Sequence, residues 1–86
     1  MSVGKVKTSL RDAIEAARQG RRVFDQAVSD AEATTQTAIA LLHGSQHADV
    51  TAARQALAAA RAEVEPTRRR FDSTAEHAAD YLTRLG

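Results

Sequence analysis

Apolar residues return at every third or fourth position through almost the whole chain, and the pattern is interrupted once. Val3, Val6, Leu10, Ile14, Ala17, Phe24, Val28, Ala31, Ile39 and Leu42 form a first stripe. Val50, Ala53, Leu57, Ala60, Val64, Phe71, Ala78, Leu82 and Leu85 form a second. With the four longer gaps (Ala17 to Phe24, Ala31 to Ile39, Val64 to Phe71, Phe71 to Ala78) counted as two steps each, the mean spacing is about 3.5 residues, the seam of a coiled-coil helix and not the alternation of a strand. Between the stripes, His43-Gly44-Ser45-Gln46-His47 is the one short segment that reads as a turn. The pattern predicts an all-α fold, an antiparallel two-helix hairpin occupying residues 1–86 as a single domain. Helix 1 is expected over residues 2–43, the turn over 44–47 with Gly44 and Ser45 at its centre, and helix 2 over 48–85.

Punctuation agrees with the period. Ser2 suits an N-cap, although Lys5 and Lys7 in the first turns oppose the helix dipole. Gly44 suits the left-handed residue that closes a helix. Ser45 or His47 suits the cap of helix 2, with Asp49 favourably placed in its first turn. Two positions disturb the regularity. Gly20 costs about 1 kcal/mol relative to alanine in mid-helix. Pro66 removes a backbone donor and presses on the carbonyl of Ala62, so a kink is expected near it. With the bend centred on Ser45, Gly20 and Pro66 would stand at nearly the same height.

The chain carries 12 basic and 11 acidic residues, a net charge of +1, which sets up no overall field for nucleic acid or acidic lipid. Arginines do gather on the two arms, Arg18, Arg21 and Arg22 across from Arg68, Arg69 and Arg70. The i,i+4 spacings of Arg21 with Asp25, Arg61 with Glu65, Glu65 with Arg69, and Arg68 with Asp72 read them as a solvated face of helix-supporting ion pairs. No aromatic residues are interleaved for base stacking. Cysteine is absent, which excludes disulfide and thiolate-metal frameworks. His43 and His47 flank a broken helix, and His77 is some thirty residues from them, so no metal site and no cofactor are expected. No nucleophile–base constellation suggests an enzyme. The first residues lack a secretory h-region and no run approaches a membrane span, so a cytoplasmic protein without membrane insertion is expected.

Alanine dominates the apolar positions, and a chain of 86 residues has a core worth only a few kcal/mol. Helices this long draw most of their stability from packing. A second hairpin, either another copy or a different chain, is therefore expected to complete a four-helix bundle. The expected interface is the seam itself: Val3, Val6, Leu10, Ile14, Phe24, Val28, Ile39, Leu42, Val50, Leu57, Val64, Phe71, Leu82 and Leu85.

The opening Met1-Ser2-Val3-Gly4-Lys5-Val6-Lys7 and the elbow Gly44-Ser45-Gln46-His47-Ala48-Asp49-Val50 resemble those of small actinobacterial hairpins of the WXG-type superfamily of type VII (ESX) secretion. Those hairpins occur alone or ahead of polymorphic toxin domains. Where that family places Trp-x-Gly, this chain has Leu42-His43-Gly44. Where it places the export signal Tyr-x-x-x-Asp/Glu, the chain has Tyr81 followed at the fourth position by Leu85. The resemblance implies an adaptor or targeting chaperone that pairs with the helical leader of a secreted effector. It also implies contact with the export machinery, and export without a cleaved signal peptide. The alternative is a homodimeric coiled-coil module with no secretion role.

Overall fold

The computed structural model describes residues 2–86. They form three helices and no strand: α1 (Val3–Leu41), α2 (Ala48–Ala62) and α3 (Val64–Leu85). α1 is one arm of a hairpin, and α2 with α3 forms the returning arm. The two arms run antiparallel, since Lys7 meets Gly86 and Arg21 meets Asp72 across them. The molecule is a rod of 62 × 17 × 17 Å with a radius of gyration of 19.4 Å, where a compact chain of this length would have about 12 Å.

The ends of the helices have local causes. The Ser2 hydroxyl accepts the Lys5 N–H at 3.1 Å and caps α1. At the far end α1 stops at Leu41, two residues short of the span read from the periodicity. Gly44 at φ 84° turns the chain, in a left-handed conformation that costs a glycine nothing. The Ser45 N–H closes the turn on the Leu42 carbonyl at 3.1 Å. His47, not Ser45, caps α2, its Nδ1 accepting the Asp49 N–H at 3.1 Å.

The returning arm is interrupted at Glu63, three residues before Pro66. Pro66 has no N–H for the Ala62 carbonyl, and its ring crowds that carbonyl, so Ala62 is where the first ladder must end. The Glu63 N–H falls back on the Ala60 carbonyl at 3.2 Å, and α3 restarts with the Thr67 N–H on the Glu63 carbonyl at 3.1 Å. Pro66 then sits in the first turn of α3, where a missing donor is no loss.

Packing is concentrated at the open end of the hairpin, the base, where α1 runs against α3. Ile14 and Ala17 are the buried residues there. Beside them Phe24 and Phe71 meet with ring centroids 5.9 Å apart and planes tilted by 45°, inside the range favoured by aromatic pairs. Gly20 faces the edge of the Phe71 ring, and a Cβ built on it would lie 2.7 Å from a ring carbon. The mid-helix glycine is thus a seat for an aromatic ring. It shares a layer with Phe71 and not with Pro66, which lies toward the tip near Asp25 and Arg68.

Two effects oppose each other at Gly20. Alanine would favour the helix by about 1 kcal/mol, while overpacking costs about 1–3 kcal/mol. We expect Gly20→Ala to lower stability by about 1 kcal/mol. Thermal melts of Gly20→Ala, Phe71→Leu and the double variant test this. The double variant should recover what Gly20→Ala loses, because the smaller side chain vacates the space.

Candidate protein interface

The two halves of the rod differ. At the base α3 lies close along α1, but at the tip α2 touches α1 only slightly. Where α1 faces the junction of α2 and α3 runs an open groove of about 240 Å³, with Phe24, Val28 and Ala31 on one wall and Leu57, Ala60 and Val64 on the other. Glu32, Thr35, Arg61, Glu63 and Thr67 form its rim. Leu41 and Leu42, at the end of α1, lie beyond the groove toward the tip. Leu42 is 43% exposed and Leu41 81% exposed.

The seam residues named from the sequence therefore fall into distinct environments. Ile14 is buried. Val6, Leu10, Phe24, Val28, Ile39, Val50, Leu57, Val64, Phe71, Leu82 and Leu85 are half-buried. Val3 and Leu42 are exposed. Of the tail residues, Leu85 is half-buried and Tyr81 is exposed, with the Arg84 guanidinium 5.8 Å from its ring centroid. Gly44 and Ser45 lie in the turn, clear of the groove. Ala17, at helical spacing from Ile14, is buried as deeply and belongs with the seam.

At the junction of closed base and open tip, ion pairs cross the arms. Arg21 Nη1 donates to both carboxylate oxygens of Asp72, at 2.5 and 2.7 Å. Arg68 Nε donates to Asp25 Oδ1 at 2.7 Å, and Arg68 Nη1 to Glu65 Oε1 at 2.6 Å. Arg21 Nε completes the network on Asp25 Oδ2 at 3.2 Å. Of the four i,i+4 pairs expected along the helices, Arg21–Asp25 alone is formed among the described residues. Arg68 reaches Asp25 across the arms in place of Asp72. A bond between arms holds the hairpin closed, which a pair within one helix cannot do.

The hydrogen bond from Arg68 holds the Asp25 carboxyl below its ordinary value; partial desolvation opposes this, and the charges of Arg21 and Arg68 reinforce it. Asp72 raises the Arg21 guanidinium, and Asp25 with Glu65 raises that of Arg68. A carboxyl depressed in the folded state contributes stability that is complete above its unfolded value, about 3.9. That stability is lost as pH falls through the folded value. We expect the melting midpoint to drop by a few degrees on acidification from pH 5 to pH 2. Asp25→Asn should show a lower midpoint at pH 7 and a smaller acid loss.

No family model, curated protein or solved structure matches this chain. Among the described residues, no three His, Cys, Asp or Glu side chains stand together as metal ligands. No described helix is long and apolar enough to cross a membrane. The largest irregularity is the quantity of surface left uncovered. The chain exposes 6386 Å², where a compact chain of its 9.2 kDa mass would expose about 4,900 Å². A standard interface covers about 800 Å² on each partner. The excess, about 1,500 Å², is ample for one.

Proposed function

We propose that this chain is a helical-hairpin interaction protein that completes its core on a second helical hairpin. In the specific form we favour, it is a type VII secretion-associated adaptor or targeting chaperone. It pairs with the helical leader of a secreted effector or toxin, keeps that leader soluble, and forms with it the composite bundle that the export machinery receives. The observation that carries the pairing function is the open apolar groove between α1 and the junction of α2 with α3, near the middle of the rod. A helix laid there would seat its own apolar side chains among Phe24, Val28, Leu57 and Val64, in the manner of a helix in a groove. The secretion role is supported by the resemblance of the opening residues and of the elbow at Gly44–Val50. No enzymatic activity, nucleic-acid binding or cofactor belongs to this function.

The alternative is a homodimeric structural module without a secretion role, in which a second copy covers the same groove. Co-expression with the helical leader of an effector encoded beside this chain separates the two. The adaptor function predicts a one-to-one complex that copurifies and melts above either component. A stable, fully helical homodimer with no affinity for such a leader would overturn it.

A further inference from the structure

The returning arm is held unevenly. α3 meets α1 through the Phe24–Phe71 ring pair and through the bonds of Arg21 to Asp72 and Arg68 to Asp25. α2 has no such anchor. None of its fifteen residues is buried; Val50 and Leu57 are half-buried and the other thirteen are exposed. Among the described residues no ion pair joins α2 to α1. The bond from Arg54 Nη2 to the Leu42 carbonyl is 3.5 Å long, beyond the usual range for N–H···O. Both ends of α2 are also joints. At Glu63 the helical ladder is broken, and α3 restarts there without a side-chain cap. At the tip, residues 42–47 join α2 to α1 through Gly44 at φ 84°. α2 nevertheless holds its helix with little help, because eight of its fifteen residues are alanine, the strongest helix former.

We propose that α2 is a hinged flap, which swings about Glu63 away from α1 as a helix while α1 and α3 stay closed at the base. The six residues of the turn, 42–47, span about 20 Å when extended. That reach lets α2 move outward by a helix diameter, about 10 Å, without disturbing α1. Leu57 and Ala60 ride on the flap, whereas Val64 stays with α3, and Phe24, Val28 and Ala31 stay with α1. Opening therefore draws one wall of the groove away from the other. Little is lost in doing so, since Val50 and Leu57 are the side chains of α2 that give up cover. Weakly packed segments of this kind open far more often than the whole fold. The bonds of Arg21 to Asp72 and Arg68 to Asp25 lie just beyond the joint and mark where the opening stops. The use of this motion rests on the pairing function above: the flap widens the groove for a partner helix and then packs down on it.

The chain has no cysteine, so pairs of spin labels can be placed on the full chain and read by pulsed dipolar spectroscopy. Gln36→Cys with Gln55→Cys reports α1 against α2, and Ala16→Cys with His77→Cys reports α1 against α3; all four positions are exposed. The flap predicts a distance distribution about twofold broader, or more, for the first pair than for the second. Pro66→Ala returns an N–H to the Ala62 carbonyl and fuses α2 and α3 into one helix. That variant should narrow the first distribution to the width of the second. It should also slow amide exchange in α2 by about tenfold or more, with exchange in α3 unchanged. Equally narrow distributions in the parent chain, or an α2 that moves as before in Pro66→Ala, would refute the flap. Adding an effector leader separates the motion from its use. A leader that binds a chain with a rigid tip supports the pairing function and sinks the flap; a mobile tip that binds no leader keeps the flap and sinks the pairing function.

Discussion

Phe71→Ala is expected to unfold the hairpin in isolation. Phe71 touches both Phe24 and the bare backbone at Gly20, so truncation leaves an unfilled space that neither neighbour can enter. Phenylalanine-to-alanine changes in cores cost about 3–5 kcal/mol. The ring is half-buried, so the low end of that range, about 3 kcal/mol, is the fitting figure. A single core of this size rarely supplies more than about 3–5 kcal/mol, so the loss consumes most of the margin. Circular dichroism at 222 nm should show helicity collapsing at 25 °C and returning, in part, on addition of a pairing partner. Phe71→Leu, which fills more of the space, should remain folded. If Phe71→Ala melts like the parent chain, the base cluster does not hold the arms together.

The second large effect is on association and not on folding. Leu57→Asp places a carboxylate on the wall of the groove, on the helix that packs least against the rest of the hairpin. Alone, the side chain can remain in water, and the base, where Ile14, Ala17 and Phe71 lie, is untouched. Once a partner helix covers the groove, the same carboxylate is buried without a cation. Burial of an unpaired polar group costs about 1–3 kcal/mol and of a charge more. Pairing is therefore expected to weaken by at least about 100-fold, while the far-ultraviolet spectrum of the chain changes little. Sedimentation velocity across a concentration series, with circular dichroism on the same samples, reads both quantities. Undiminished association would remove the groove from the interface.

These two variants mark what was legible in the sequence. The period of about 3.5 residues and the turn at Gly44 suffice for a helical hairpin, because both are local properties of the chain. What lies between the arms is not local. Arg21, Asp25, Arg68 and Asp72 all stand at helical i,i+4 spacing, yet Arg68 bonds Asp25 on the other arm. Only the register of one arm on the other decides between the choices. Gly20 reads as a flaw until Phe71 is known to face it. The break at Glu63 follows from Pro66, but it falls where the Ala62 carbonyl loses its donor and not at the proline itself. The seam was one uniform stripe on paper. In three dimensions it is closed where α3 lies along α1 and open where α2 stands away. Nothing in the spacing of Val50, Leu57 and Val64 distinguishes a wall of an open groove from a packed core.

The measurement closest to the central claim is sedimentation equilibrium of the purified chain at micromolar concentration, paired with thermal melts over a hundredfold range of concentration. A hairpin that completes its core on a second copy should sediment at twice its 9.2 kDa mass. One that completes it on an effector leader should gain mass only when that leader is added. In either case the melting midpoint should climb with the concentration of the partner. A 9.2 kDa monomer that melts cooperatively at one temperature, whatever its concentration and whether or not an effector leader is added, would contradict this pairing.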